Sequence, residues 1–178
     1  FTITISNLNY SSIYYFGLRV FDGQNYSSLA TTSPYQTAIL STIASNFPAN
    51  LEIKNNGRKI ARASNGNFYA VYSRANKIYL AKSVDQGINW TETDATPEEE
   101  LEQINPSIAI DSQNNLHLVW QGKVATPTPY QIRYRKYNGN SFSEILTLTN
   151  DSEWGQEIPG IAVDSQDNVH LIWVNNQV

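Results

Sequence analysis

Cysteine is absent from the 178 residues of this chain, so no disulfide framework, thiolate metal site or thiol nucleophile can be built from it. That absence leaves the compartment open on redox grounds. Histidine is scarce as well: His117 and His170 are the only two. Positive charge is thin, with 12 Lys and Arg against 16 Asp and Glu and a net charge of −4. No basic cluster offers itself to a phosphate backbone, so nucleic acid is not an expected partner. No apolar run approaches the roughly 20 residues that span a bilayer. Residues 1–20 do not read as a basic-then-apolar leader. The expectation is a soluble chain with no membrane-spanning segment.

What is present is the chemistry of strands and turns. A hydrophobic content of 40% with 12% aromatics, beside abundant Asn, Ser and Gly, is that of a globular all-β protein. The length suits one or two domains with a sizeable core. The strongest signal is a repetition: the stretch Pro106 to Trp120 returns as Pro159 to Trp173, an offset of 159 − 106 = 53 residues. A period in that range means one supersecondary unit used repeatedly, because a single unit cannot bury its apolar faces alone. Within each copy an apolar run, a polar turn and an alternating run predict two antiparallel strands. Ile60 to Tyr72 follows the same outline, with Asn67 standing where Asn115 and Asn168 stand. Lys77 to Lys82 and Ile132 to Tyr137 read as third strands, the latter followed by Asn138-Gly139, a favoured two-residue hairpin turn. This is the pattern of β-propeller blades: one over 58–105, one over 106–158, and the first strands of a third over 159–178.

Between the third and fourth strands of the first unit lies Ser83-Val84-Asp85-Gln86-Gly87-Ile88-Asn89-Trp90. It resembles the Asp-box of sialidase-like BNR repeats, through Ser83, Asp85, Gly87 and Trp90. The spacing has a physical reading: the carboxylate caps turn N–H groups, glycine takes a positive φ, and the indole folds back over the hairpin. The second unit lacks the Ser and Asp and carries Phe142 in place of Trp90. Near the start, Leu8 to Tyr14 and the strand-like Tyr15 to Val20 resemble the end of a fibronectin type III domain, which would make Tyr14 its tyrosine corner. The loop proline usual in that family is Tyr10 here. The resemblance implies that residues 1–34 are the last strands of a sandwich, that 35–57 is a connector, and that the chain is an internal piece of a longer polypeptide.

Repetition also separates fold from function. A residue recurring at one place in successive units is explained by packing, so a ligand site is sought among residues that break the repeat. By that test His117, His170, Asp111 and Asp164 are structural. Thr96 to Glu102 reads as a capped helical turn, with Thr96 as N-cap and Pro97 after it. Gly122 to Tyr130 reads as an extended insertion. Asn150 to Glu157 sets an indole among carboxylates and amides, which makes Trp154, Gln156 and Glu157 the ligand candidates, since sugar faces meet aromatic planes flanked by polar groups. Asn9, Asn25, Asn89 and Asn150 open formal glycosylation triplets.

The sialidase resemblance would imply a Tyr nucleophile and three arginines. The nearest stretch to the signature of the first arginine is Arg58-Lys59-Ile60-Ala61, a poor match, and Ile158-Pro159 has no arginine before it. No catalytic residue, metal ligand or cofactor is assigned. The expected function is an adhesive, glycan-binding or structural module of a secreted or cell-surface repeat protein, with glycans or other surface proteins as partners. Two alternatives stand beside it: a sialidase-like glycoside hydrolase with its catalytic residues elsewhere, and a protein-interaction scaffold or surface-filament building block.

Overall fold

The computed structural model describes residues 13–14, 17–18, 24, 30–31, 35–36 and 57–177. Among them every regular element is a strand and every pairing is antiparallel. No helix of the described residues is long and apolar enough to cross a membrane. The chain divides into two compact units, Phe1–Ser41 and Thr42–Val178.

In the first unit β1 (Ile13–Tyr14) pairs with β4 (Tyr35–Gln36), and β2 (Gly17–Leu18) pairs with β3 (Ala30–Thr31). Residues 35–36, expected to begin a connector, are therefore tied to the first unit by a strand pairing. Of Tyr14 the backbone is described, opposite Tyr35; the side-chain bond of a tyrosine corner lies outside the described parts.

The second unit follows the repeat. β5 (Ile60–Arg62), β6 (Phe68–Arg74), β7 (Lys77–Ser83) and β8 (Thr91–Asp94) form one meander in that order. β9 (Gln103–Ile110), β10 (Leu116–Gly122), β11 (Gln131–Tyr137) and β12 (Leu146–Thr147) form the next, and β13 (Gln156–Val163) with β14 (Val169–Asn175) is a hairpin. Each sheet packs on the following one: β9 lies against β5 and β6, and β13 against β9 and β10. Between the two four-stranded sheets Tyr69, Val71, Ile78 and Leu80 meet Ile108, Leu116, Leu118 and Trp120 in one buried cluster. Burying such side chains contributes about 1.5–3 kcal/mol each, the main source of cohesion between sheets that share no ladder.

The repeat also fixes details that alternation alone does not reveal. Trp120 Nε1 donates to Gln103 Oε1 at 2.7 Å, and 53 residues on Trp173 Nε1 donates to Gln156 Oε1 at 2.8 Å. Gly122 leaves room for this arrangement, since a Cβ there would fall 1.9 Å from Gln103 Oε1. Both first strands are interrupted just before their proline, at Asn105 and Ile158, each with a φ of 54°. Gln121 Oε1 joins the two interruptions by accepting from Asn105 Nδ2 at 2.9 Å and from the Ile158 N–H at 2.8 Å.

Candidate functional site

Antiparallel meanders place their connections at two ends, and contacts between sheets show which ends lie together. One end holds the turns 63–67, 111–115 and 164–168, with 84–90 and 138–145. The other holds 75–76, 95–102, 123–130 and 148–155.

At the first end the recurrent Asp is the organiser. Asp111 Oδ1 accepts from the Gln113 and Asn115 N–H groups at 3.0 and 2.7 Å; Oδ2 takes Asn115 Nδ2 at 2.7 Å and lies 3.3 Å from His117 Nε2. Asp164 repeats the set with Gln166, Asn168 and His170. Burial pushes the Asp111 carboxyl up, but bonds from Asn115 and His117 outweigh it and hold the group below its ordinary range. Burial lowers the His117 pKa despite its carboxylate neighbour, and His117 Nδ1 sits 2.7 Å from the Tyr134 hydroxyl. Both ring nitrogens of His117 are thus occupied by the fold. Each turn also caps the preceding sheet: Asn114 Oδ1 accepts the Ser64 N–H at 2.7 Å, and Asp167 Oδ1 accepts the Ser112 N–H at 2.8 Å.

The octet Ser83 to Trp90 closes the β7–β8 hairpin. Asp85 Oδ1 accepts the Asn89 N–H at 2.9 Å, Ser83 Oγ accepts the Gly87 N–H at 2.8 Å, Gly87 has a φ of 90°, and Trp90 Nε1 donates to Gly87 O at 3.0 Å. Bonds from the Asn89 backbone, the Asn89 amide and the Ser83 hydroxyl hold the Asp85 carboxyl low. Asn89 Nδ2 is committed to Asp85 Oδ2 at 2.7 Å. In the second sheet the corresponding turn is a four-residue loop, not the two-residue turn expected from Asn138-Gly139. Tyr137 bridges to Phe142, and Asn138 Oδ1 accepts the Asn140 and Ser141 N–H groups at 3.0 and 2.8 Å. An Asx turn at Asn138 wins because its side chain substitutes for the missing carboxylate.

At the other end the acidic stretch 96–102 forms one hydrogen-bonded turn, the Glu99 N–H donating to Thr96 O at 3.1 Å, but it is not capped by the Thr96 side chain as expected. Thr96 is buried with Oγ1 accepting the Ile78 N–H at 3.0 Å, so its hydroxyl serves β7 instead of capping a helix. Its glutamates face cations on the next sheet: Glu98 lies 2.9 Å from Arg135 Nη2, and Glu99 pairs with Arg133. Lys77 adds bonds to the carbonyls of Thr96 and Glu99. This clasp between sheets was not legible in the sequence, because Arg133 and Arg135 lie more than 30 residues from their partners in a strand that reads as ordinary amphipathic β.

The three ligand candidates separate here. Gln156 is buried; its amide nitrogen is held by Asp151 Oδ2 and Trp154 O, both at 3.2 Å, and its oxygen by Trp173. Gln103 stands in the same place one repeat earlier, so the test of repetition assigns Gln156 to packing. Trp154 and Glu157 replace Leu101 and Ile104 of the earlier unit and do break the repeat. Asp151 Oδ1 accepts the Glu153 and Trp154 N–H groups at 2.8 and 2.9 Å, which fixes the loop that carries the half-buried indole. Glu157 and Glu102 both act on Tyr130, whose hydroxyl donates to Glu102; burial first and these carboxylates second raise the phenol pKa. Lys123 stands 5.2 Å over the Tyr130 ring, and Asn176 Nδ2 lies 3.5 Å from Glu157 Oε1. The outcome is that Tyr130, two carboxylates, Lys123 and an amide gather at the loop end of β10, β11 and β13, the end that also carries Trp154.

No protein-family model, curated protein or solved structure matches this chain.

Proposed function

We propose that this chain is a stretch of a β-propeller built from BNR-like repeats, following the end of a fibronectin type III domain, and that it binds carbohydrate on the outside of the cell or at its surface. The propeller reading is supported by two consecutive four-stranded meanders and a hairpin of the same sequence, each packed on the next, with the Asp-box-like octet between third and fourth strands. The observation that carries the binding reading is that Trp154 and Glu157 depart from the repeat at the same end of the sheets, with Glu157 near Tyr130 and Glu102. An indole receives the apolar face of a sugar ring, and carboxylates accept from its hydroxyls. At the opposite end the recurrent Asp111 and Asp164 are engaged by their own turns, and His117 is held between Asp111 and Tyr134.

The test is a glycan array probed with the full chain, followed by titration of any ligand found. Trp154→Ala removes the stacking plane and is expected to weaken binding about tenfold or more, equivalent to at least ~1.4 kcal/mol. Glu157→Gln is expected to alter which hydroxyl pattern is preferred. An array without a reproducible ligand, or binding unchanged in Trp154→Ala, refutes this reading.

A further inference from the structure

Two turns at the same end of the sheets carry an asparagine directly before a glycine, Asn65-Gly66 in the first sheet and Asn138-Gly139 in the second. In such a pair the glycine nitrogen can reach the preceding side-chain carbonyl, because no Cβ hinders its approach. The two pairs are alike in backbone and burial: Gly66 and Gly139 have φ of 90° and 92°, both asparagines are exposed and both glycines half-buried. A third pair begins at Asn56, outside the described residues.

Hydrogen bonds separate the two. In the first turn the Gly66 N–H donates to Ala63 O at 3.0 Å, and Asn65 Oδ1 accepts a bond from the Asn67 N–H at 3.1 Å. In the second, the Gly139 N–H and Asn138 Nδ2 have no acceptor among the described residues. Asn138 Oδ1 there accepts the Asn140 N–H at 3.0 Å, the Ser141 N–H at 2.8 Å and the Ser141 hydroxyl at 3.4 Å. Donors gathered on a carbonyl oxygen polarise its carbon and stabilise the oxyanion that forms when a nucleophile adds. An unengaged nucleophile, an activated carbonyl and an unheld leaving group thus share one turn.

We propose that Asn138 is a site of self-modification through a succinimide, and that Asn65 is spared. The Gly139 nitrogen adds to Asn138 Cγ and gives its proton to water; the Cγ–Nδ2 bond breaks and ammonia leaves. A water molecule then opens the imide at one carbonyl or the other, so that an aspartyl or isoaspartyl residue stands at position 138. Over both steps one water is consumed and one ammonia released. The aspartyl product gives this turn a carboxylate acceptor for backbone N–H groups, as Asp85 does for Asn89 in the first sheet. The isoaspartyl product lengthens the main chain between Tyr137 and its bridge partner Phe142, whose ring centroids lie 4.6 Å apart against the core cluster.

The experiment incubates the full chain at mildly alkaline pH, folded and in guanidinium chloride, and follows positions 65 and 138 by peptide mass spectrometry. Isoaspartyl methyltransferase labelling counts the isoaspartyl product. Unfolded, the two pairs convert at similar rates, since both read Asn-Gly-Asn. Folded, position 138 converts at least about tenfold faster than position 65, a barrier difference of ~1.4 kcal/mol. Similar rates at the two positions in the folded chain, or faster conversion at 65, overturn the proposal. So does a rate at 138 that falls about tenfold or more on folding, since the turn would then protect its asparagine by ~1.4 kcal/mol.

Discussion

Asp111 and Asp164 carry the same bonds in the same turn but in different surroundings, and this makes them a matched pair for substitution. Replacing Asp111 by Ala leaves the N–H groups of Gln113 and Asn115, the Asn115 amide and the His117 ring without their acceptor. The Asp111 and His117 side chains are each only 6% exposed, so water replaces these bonds poorly. Hydrogen bonds to a charged group contribute about 1.5–3 kcal/mol, and buried donors left unmet cost about 1–3 kcal/mol. Because the bonds are not additive, Asp111→Ala is expected to cost about 3 kcal/mol in all. With a melting-temperature change of about 3 °C per kcal/mol for a unit of this size, the loss is about 9 °C. At the twin turn the side chains of Asp164 and His170 are 31% and 63% exposed, and solvent takes over the abandoned donors. Asp164→Ala therefore lowers the melting temperature clearly less. Thermal and urea unfolding followed by circular dichroism read both variants. A loss below about 1 kcal/mol for Asp111→Ala, or an equal loss at Asp164, would refute the reasoning that burial of this network gives it its stabilising effect.

Other outcomes follow from the same geometry. Gly87 has a φ of 90°, and a Cβ there meets nothing closer than Trp90 Cζ2 at 3.7 Å, so Gly87→Ala isolates the backbone cost and is expected to lower stability by about 1 kcal/mol in urea unfolding. Acid should weaken the fold in two stages. Burial lowers the His117 pKa in the folded state, so its contribution is complete above the unfolded value of about 6.5 and is lost as pH falls through the lower folded value. Asp111, also held low, contributes fully above about pH 4 and is lost below it. Urea midpoints should thus fall between pH 7 and pH 5 and again below pH 4, and His117→Gln should flatten the first step. A wild-type midpoint constant from pH 7 to pH 5 counts against this assignment.

Much of the second unit was legible because its sequence repeats. Alternating apolar residues and the polar turns located the strands of 106–120 and 159–173, and the octet at 83–90 located a hairpin. The structure adds burial on both faces of β10, which alternation does not announce; there the neighbouring sheets cover both sides. The Gln156–Trp173 bond was legible as a repeat of Gln103–Trp120, since Gln103 and Trp120 precede Gln156 and Trp173 by one period. The acidic stretch 96–102 had the local signature of a helix start. Local preference lost to Thr96 bonding β7 and to glutamates drawn toward Arg133 and Arg135, contacts between residues far apart in sequence. Trp154 and Glu157 could be read as departures from the repeat, but the company of Tyr130 and Glu102 around Glu157 required the packing of adjacent loops.

The order in which repeat units touch can be measured directly, because the chain has no cysteine of its own. Three double variants are needed: Ser64→Cys with Asn114→Cys, Ser112→Cys with Asp167→Cys, and Ser64→Cys with Asp167→Cys. The first two pairs join positions that hydrogen-bond across adjacent sheets, at 2.7 and 2.8 Å. The third spans two sheet intervals of about 10 Å each. With a short bismaleimide reagent and mass spectrometry, the account predicts efficient intramolecular linkage in the first two variants and little in the third. Linkage of Ser64→Cys to Asp167→Cys at a comparable rate, or failure of both adjacent pairs, would contradict successive stacking of the repeats.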